Sequence, residues 1–272
     1  MNLQKKCATV VIVIIMLFFV FSTAWADFVG NWTFNNCDGT DSSGNGHNGI
    51  LVGDPQCVKG VLGNALALDG VSTAGDRVDL GASPDYNLAA FSICGRIYPF
   101  LNCSGSILYK VGSFGVGMNF GQLQGGIWIN GGWWTQNHSH PGNPQPDIPL
   151  EEWTCFCITY GDGYMRFYID GKEVNIYEQS HTPDESDDPL YIGHNGGAGV
   201  HYFEGIVDEM RLYDNVLTSG EVAAYCDGGC ECADADSDGV PDAWDKCPDT
   251  SAGRPTDSSG CPKGGVVIML GD

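Results

Sequence analysis

Short apolar runs separated by turn residues fill residues 27 to 225. The runs hold about four to eight residues each, and Gly, Asn, Asp and Pro interrupt the chain between them. This pattern is typical of a β-sandwich. Only one helical segment stands out, near the end, where Thr218 or Ser219 can cap a short helix that contains 221 to 225. The pattern predicts one all-β domain, long enough for a single large core.

The predicted strands are 31–34, 65–68, 77–80, 91–98, 106–110, 116–120, 126–129, 153–160, 164–169, 172–175, 190–192 and 203–213. Alternation assigns their faces. In 91–97, for example, Phe91, Ile93, Gly95 and Ile97 face one way, while Ser92, Cys94 and Arg96 face the other. Asp170-Gly171 lies between two of the runs and predicts a two-residue hairpin turn of type I′.

An acidic ladder of twelve residues follows this region. Positions 1, 3, 5, 9 and 12 are Asp234, Asp236, Asp238, Asp242 and Asp245, with Gly239 at position 6 and the Val240 carbonyl at 7. Converging oxygens on a sharp turn suit Ca²⁺, which takes six to eight ligands. The alternative, an acidic solvated linker, does not explain glycine at 6 and acid at 12. Because neither flank is helical, we expect a lone calcium loop and not an EF-hand.

The first 26 residues have the features of a signal peptide. Lys5 and Lys6 precede an apolar run over 10 to 21, and Ala24-Trp25-Ala26 forms a cleavage pattern. The alternative is a membrane anchor, but the run is shorter than the roughly 20 residues that a span needs. We therefore expect a secreted protein, extracellular or in the periplasm or cell envelope, without a transmembrane helix in its mature chain.

The chain has twelve cysteines, of which Cys7 lies in the signal peptide, and export makes the other eleven candidates for disulfides. The favoured pairs are Cys37–Cys57, Cys94–Cys157 and Cys103–Cys155. Cys226, Cys230 and Cys232 would then hold one pair and one spare thiol. A zinc or redox site is the alternative for those three, but they contain no Cys-x-x-Cys, and secretion argues against it.

Acidic residues dominate the charge of the chain, which is −22 at pH 7. Such a field repels nucleic acid and anionic lipid and attracts divalent cations. Solubility alone accounts for most of these charges. We therefore expect no nucleic-acid partner, and only spaced acids are treated as a site.

The acidic ladder is followed by Cys247-Pro248 and by Asp257-Ser-Ser-Gly-Cys261-Pro262. Together these motifs resemble a thrombospondin type 3 repeat in the short form of bacterial envelope proteins. The resemblance implies a Cys247–Cys261 disulfide and a calcium-stiffened stalk. The expected organisation is a signal peptide over 1–26, a large domain over 27–225, a Cys-rich linker over 226–233, the repeat over 234–262 and a tail over 263–272.

Seven segments of the large domain carry a second resemblance. In order, they are Trp32-Thr-Phe, Asp41-Ser-Ser-Gly-Asn-Gly-His-Asn-Gly, Gly63-Asn-Ala-Leu-Ala-Leu-Asp-Gly, Phe91-Ser-Ile, 153–160, Phe167-Tyr-Ile-Asp-Gly and Gly205-Ile-Val-Asp-Glu-Met-Arg-Leu-Tyr. The set is similar to the laminin G-like or concanavalin A-like jelly roll of pentraxins, lectins and carbohydrate-binding modules. The chain departs from that pattern at Arg96, Cys155 and Cys157, which suggests disulfide reinforcement of one sheet. The resemblance implies an all-β jelly-roll sandwich with a calcium-binding repeat at its C-terminus.

Catalytic patterns are missing from the sequence. Glycosidases on related sandwiches use carboxylates on one strand face, whereas Asp208 and Glu209 are adjacent and are expected to point to opposite faces. Glu204 and Asp208 share a face but lack the middle acid of that arrangement. No Gly-x-Ser-x-Gly or His-Glu-x-x-His is present either. We expect a non-enzyme, with a hydrolase of unusual site as the weakest alternative.

A second calcium site has an equally good alternative. Asp38, Asp41, Asn45 and Asn48 lie in a Gly-rich loop, which in the resembling family often meets the strand that here carries Asp208. Ordinary Asx turns, in which these side chains bond their own backbone, explain the same residues.

The best stretch for ligand contact runs from residue 128 to 140. Trp133 and Trp134 could stack on sugar faces, while Asn137 and His138 could bind hydroxyls. Since adjacent strand residues face opposite ways, at least one of the two tryptophans is expected in the core. The preferred hypothesis is an exported calcium-binding protein for recognition or adhesion, which binds carbohydrate through its jelly-roll domain. The alternative is a structural or protein–protein adhesion module, and the oligomeric state stays open.

Overall fold

Fifteen β-strands and one α-helix form the computed structural model, which describes residues 28–71, 75–101, 104–197 and 201–227. The predicted signal peptide, the acidic ladder, Cys247, Cys261 and Cys103 lie outside these residues. The strands β1 to β8 are Phe28–Trp32, Ile50–Val52, Gln56–Lys59, Asn64–Asp69, Arg77–Asp79, Phe91–Pro99, Gly105–Lys110 and Phe114–Asn119. The strands β9 to β15 are Gln122–Ile129, Gly132–Asn137, Thr154–Gly161, Tyr164–Ile169, Lys172–Glu178, Leu190–Ile192 and Glu204–Tyr213, and helix α1 is Ser219–Cys226.

The strands form two antiparallel sheets. The eight-stranded sheet has the order β13-β12-β11-β6-β15-β4-β3, and β1 also pairs with β15, along its second half. The seven-stranded sheet has the order β10-β9-β8-β7-β14-β5-β2. Neighbours in space are often distant in sequence, as in a jelly roll, so the fold is the all-β sandwich that the sequence predicts.

Alternate residues of each strand fill the core between the sheets. In β6, Phe91, Ile93 and Ile97 belong to the main apolar cluster, while Cys94 belongs to a separate cluster on the outer face. This is the alternation expected from the sequence. Burying one large apolar side chain stabilises the fold by about 1.5–3 kcal/mol, so the period of two fixes which residues face inward.

Helix α1 covers the outer face of the eight-stranded sheet. Its N-cap is Thr218, which forms a capping box with Glu221. Val222 and Tyr225 pack against the outward side chains of β6 and β11, and the Tyr225 hydroxyl donates to the Glu209 carbonyl at 2.7 Å. Within the described ranges, no helix has the length and apolarity needed to cross a membrane.

Three disulfides join the described cysteines. Cys37–Cys57 and Cys94–Cys157 are the pairs expected from the sequence. The expected Cys103–Cys155 pair is wrong, because Cys155 is bonded to Cys226. Cys155 points to the outer face of β11, where the last residue of α1 reaches it, and the spacing of the cysteines does not reveal this position of the helix. The bond therefore ties the end of α1 to the centre of the sheet.

Three strands were not predicted. β2, β3 and β10 are short or rich in polar and glycine residues, which gives them weak apolar alternation. The predicted hairpin turn at Asp170-Gly171 is present, with φ of 46° and 74° at the two residues, as a type I′ turn requires.

The longest and the shortest of the disulfide-closed segments among the described cysteines allow a test of the Cys155–Cys226 bond. Cys155→Ser/Cys226→Ser opens a separation of 71 residues and Cys37→Ser/Cys57→Ser one of 20. The chain-entropy relation predicts losses of about 4 and about 3 kcal/mol in the free energy of unfolding. The first variant should lose more still, because α1 also loses its anchor. Urea unfolding without reductant measures both, and a larger loss for the second variant would contradict this account.

Candidate functional site

The outer face of the seven-stranded sheet carries a cluster of aromatic rings. Tyr109, Trp128 and Trp133 point outward, because their strand neighbours Leu108, Ile127 and Trp134 belong to or pack against the core. The Trp133 ring lies 5.3 Å from that of Tyr109 and 5.9 Å from that of Trp128, measured between centroids. All three rings are half-buried. We name this partly exposed cluster of Tyr109, Trp128 and Trp133 the aromatic platform.

Glycines beneath the platform make room for its rings. A Cβ added at Gly115 would lie 2.5 Å from the Tyr109 ring, and one at Gly126 would lie 2.8 Å from the Trp133 ring. Real Cβ atoms do not approach other atoms so closely, so a larger residue would displace the rings. The glycines of β8 and β9 therefore allow the rings to lie against the sheet.

Polar side chains surround the platform. Together with the rings, Asn119, Gln124, Asn195 and His201 line a depression of about 300 Å³. The Gln124 amide donates to Asn137 Oδ1 at 3.0 Å, which orients both amides across β9 and β10. Flat rings beside amides suit a sugar, because the C–H face of the sugar packs on the ring and its hydroxyls bond the amides.

A loop over 181–189 holds the hairpin that carries the two tryptophans. The Asp184 carboxylate accepts hydrogen bonds from the Asn130 and Gly131 N–H groups at 3.0 and 2.9 Å, and the Asp184 N–H donates to the Trp128 carbonyl at 2.8 Å. Lys110 anchors the same loop by donating to the Ser186 carbonyl at 2.7 Å. Burial lowers the pKa of Lys110, against the opposite effect of Asp188 and Asp187. The platform is therefore fixed by a second segment of the chain.

The four predicted ligand residues have different positions in the structure. Trp133 faces outward in the platform, whereas Trp134 packs against the core. Asn137 is bonded to Gln124 at the edge of the platform. His138 is buried, with Nδ1 accepting from the Leu123 N–H and Nε2 bonded to the Pro146 carbonyl, both at 2.9 Å. Both ring nitrogens of His138 are therefore occupied by the backbone, and the side chain fixes the loop that follows β10.

Sequence reasoning did not select Tyr109 or Gln124 as site residues. Tyr109 comes from β7, which is separated from the tryptophan hairpin by β8. The available signal was alternation, since Tyr109, Gln124 and Trp128 all occupy outward positions next to core residues. The order of strands in the sheet was needed to bring those outward positions together.

The loop over 38–48 is built from side-chain bonds to its own backbone. The Asp41 carboxylate accepts from the Asn31, Ser43 and His47 N–H groups, each at 2.9 Å, and from the Ser43 hydroxyl at 2.7 Å. Burial by itself would raise the pKa of Asp41, but these hydrogen bonds outweigh it and lower the pKa. These hydrogen bonds are those of the Asx-turn interpretation, in which the acidic and amide side chains of the loop bond to backbone.

The other members of the candidate second calcium site also bond to nearby backbone. Asp38 Oδ1 accepts from the Thr40 N–H at 2.9 Å and Asn48 Oδ1 from the Asp41 N–H at 2.8 Å, while the Asn45 amide donates to the Phe28 carbonyl at 2.5 Å. No group of three His, Cys, Asp or Glu suited to a metal occurs among the residues that the structure describes.

Asp208, the fifth candidate ligand, lies on β15 and bonds to another segment. Its Oδ2 accepts from the Val61 and Leu62 N–H groups at 2.8 and 3.3 Å, and its side chain is fully buried. Burial, reinforced by the negative charge of Glu209, raises the pKa of Asp208 to about 6, against the lowering effect of the backbone donors. Asp41 and Asp208 therefore accept hydrogen bonds from different segments of the backbone.

Glu209, the neighbour of Asp208, is also buried and bonded within the domain. It has a φ of 50° where the β15 register shifts against β6, and it pairs with Arg211 at 3.1 Å while only 2% exposed. Both acids are buried in β15. Among the described residues that line the depression, none is an aspartate or a glutamate.

The family model described as the concanavalin A-like lectin/glucanases superfamily, of laminin G type, matches residues 72–223, which is more than half of the chain. The chain belongs to this superfamily. No curated protein is similar enough in sequence to match this concanavalin A-like chain.

Solved structures share the concanavalin A-like fold at low sequence identity. The binding domain of Paraclostridial Mosquitocidal Protein 1 matches with a TM-score of 0.61 and 16% identity, over 74% of this chain and 52% of that one. Domain 4 of AbnA, an extracellular arabinanase from Geobacillus stearothermophilus in complex with arabinotriose, matches with 0.58 and 20%, over 73% and 97%. Botulinum neurotoxin type C, whose cell entry depends on two ganglioside molecules, matches with 0.57 and 14%, over 74% and 51%.

These likenesses show the fold. The chain spans about half the length of the two toxin chains and nearly all of the arabinanase domain. The first of these structures is a binding domain, the second is a domain with bound arabinotriose, and the third is a toxin whose cell entry depends on gangliosides. What each of them binds is a property of that protein.

The raised pKa of Asp208 predicts a pH dependence. An unfolded carboxyl ionises near its ordinary value of 3.8, while the folded one retains its proton to about 6. The contribution of Asp208 to the free energy of unfolding therefore falls as pH rises between these values and is level above them. Asp208→Asn should remove about 2–3 kcal/mol of that fall.

Urea unfolding between pH 4 and pH 7, in EDTA, measures this difference. Asp187→Asn supplies the control, because it removes one carboxyl at an exposed position. Parallel profiles for the wild type and Asp208→Asn would show that Asp208 ionises normally in the folded protein.

Proposed function

We propose that this protein binds carbohydrate through the aromatic platform on the outer face of its seven-stranded sheet. The observation that carries the proposal is the grouping of Tyr109, Trp128 and Trp133 as half-buried rings beside Gln124 and Asn119. Apolar rings that stay in contact with water are unfavourable unless a ligand covers them. A sugar offers both an apolar C–H face for the rings and hydroxyls for the amides.

The structural likenesses support this choice of ligand. One similar structure, domain 4 of the arabinanase AbnA, is in complex with arabinotriose. Another belongs to a neurotoxin whose entry into cells depends on gangliosides. The fold is thus used elsewhere to bind glycans, while the residues that do so here are argued from this chain alone.

Binding without catalysis is the better-supported role for the platform. Hydrolysis of a glycosidic bond ordinarily needs two carboxyl groups on opposite sides of the bond. In the part of the chain that the structure describes, the lining of the depression offers neither aspartate nor glutamate, and Asp208 and Glu209 are buried in β15. A polysaccharide hydrolase would require acids from elsewhere in the chain.

The proposed location of the protein is outside the cytoplasm, and the proposed calcium loop follows the sandwich in the sequence. Three disulfides among the described cysteines favour an oxidising compartment, which agrees with a signal peptide over 1–26. The spacing of the acids over 234–245 supports a calcium loop, with the repeat acting as a spacer. A protein–protein adhesion module remains the competing role, and one similar structure is a neurotoxin binding domain in complex with rat synaptotagmin II.

Replacing one ring tests the platform. Trp133→Ala should lower affinity for a bound glycan at least about tenfold, because the sugar loses its stacking surface. Ile50→Ala is the matched control, since Ile50 is 71% exposed on β2, at the opposite edge of the same sheet. Binding is measured on a glycan array and then by calorimetry with the best glycan.

Trp133→Phe keeps a flat ring and should retain part of the affinity. Thermal unfolding of each variant separates loss of a contact from loss of the fold. If Trp133→Ala binds like the wild type, the site lies elsewhere. An array without any glycan signal, in calcium and in EDTA, would instead favour protein adhesion.

Removing one acid tests the calcium loop. The wild-type chain should bind Ca²⁺ with a Kd of roughly 0.1–1 mM, as extracellular modules do. Asp238→Ala should abolish this binding, because the ion loses a carboxylate at position 5. Asp187→Asn, which changes charge by one unit elsewhere, should leave calorimetric binding intact. Equal calcium heats for the wild type and Asp238→Ala would reduce the ladder to an acidic linker.

A further inference from the structure

A second depression adjoins the aromatic platform. Its volume is about 470 Å³, and its lining includes Gln122, Gln124, Thr135, Asn137, His140 and Tyr177. Gln124 also lines the depression under the platform. The two depressions therefore share one lining side chain, and we name the two together the long groove.

The long groove is longer than one sugar ring. It starts at Tyr109 on β7, crosses β8, β9 and β10, and ends at His140 beyond β10. Adjacent strands are about 4.8 Å apart, so the four strands alone extend over roughly 14 Å. A single monosaccharide would leave much of this length empty.

The far wall of the groove is held rigidly. The loop over 138–148 is tied to β13 by the Asn143 amide, which donates to the Val174 carbonyl at 2.9 Å. The Ser139 hydroxyl accepts from the Gln145 N–H at 2.8 Å, and the Ile148 N–H donates to the Gly121 carbonyl at 2.7 Å. The His140 ring lies 5.5 Å from that of Tyr177. A wall that is already ordered spends little entropy on binding.

Near neutral pH, histidines are the only described residues in the lining of the long groove that can carry a formal charge. Amides, hydroxyls, glycines and aromatic rings make up most of it, and aspartate, glutamate, lysine and arginine are missing from the lining residues within 28–71, 75–101, 104–197 and 201–227. An acidic sugar would find no cation there, and the net charge of −22 would repel it. Uncharged hydroxyls, in contrast, match the amides.

We propose that the long groove binds several consecutive units of a neutral oligosaccharide, and that the second depression is a subsite for units beyond those on the aromatic platform. This inference rests on the proposed carbohydrate binding and deepens it. The rings of the platform hold one end of the bound stretch, and the amides around Gln122 and the His140 ring hold the other. Gln124 contacts the unit between them.

Calorimetry of the full oxidised chain with oligosaccharides of increasing length tests the inference. The neutral probes are linear arabino-, xylo- and β-gluco-oligosaccharides of two, four and six units. The acidic probes are oligogalacturonates of the same lengths. For at least one neutral series the affinity should rise about tenfold or more from two to six units, as further hydrogen bonds form. The oligogalacturonates should bind more weakly at every length.

Two variants localise the effect. Gln122→Ala/His140→Ala should lower affinity for the six-unit probe about tenfold and leave the two-unit probe unchanged, because only the longer one reaches the second depression. Trp133→Ala should weaken every length. Thermal unfolding reports whether the double variant keeps its fold, and Gln122→Ala alone, on a strand, is the substitution that leaves the 138–148 loop untouched.

Each result has one meaning. Affinity that does not grow with length, or an equal loss for short and long probes in the double variant, would overturn the long groove while leaving carbohydrate binding intact. Tighter binding of oligogalacturonates would overturn the neutral character. Failure of all probes together with an empty glycan array would overturn the proposed function itself, and the inference with it.

Discussion

Burial of alternate side chains between the two sheets is the constraint on which the rest of the structure depends. Once Phe91, Ile93 and Ile97 face the core, Cys94 and Arg96 must face outward, and the same rule applies to each strand. The inner face supplies the stability. The two outer faces are left for other uses, and they differ sharply.

One outer face is closed and the other is open. On the eight-stranded sheet, α1 covers the outward cysteines, and the Cys155–Cys226 bond fixes the helix there. The Arg96 guanidinium donates to the Tyr225 and Cys226 carbonyls, both at 3.2 Å, which satisfies the end of the helix. The seven-stranded sheet instead presents half-buried rings and amides to solvent. Gly115 and Gly126 leave room for those rings to lie against the sheet.

Much of the fold could be predicted from local patterns. Apolar alternation located most strands and the inward residues of β6, and the Asp170-Gly171 turn followed from its dipeptide. β10 was not among the predicted strands, because Gly-Trp-Trp-Thr-Gln-Asn lacks clear alternation. The pairing of Cys155 was missed for a different reason. A disulfide depends on distance in space, and the position of α1 was not encoded in the spacing of the cysteines.

The sequence by itself determined the class of fold, the number of apolar faces and the chemistry available, because strand period, turn residues and side-chain types are local properties of the chain. It also carries the acidic spacing over 234–245. Only the tertiary structure decided that Tyr109 joins Trp128 and Trp133, that Trp134 and His138 turn inward, and that Asp41 bonds to its own loop. Those outcomes depend on which strands become neighbours in a sheet, and residues far apart in sequence meet only after the sheets have formed.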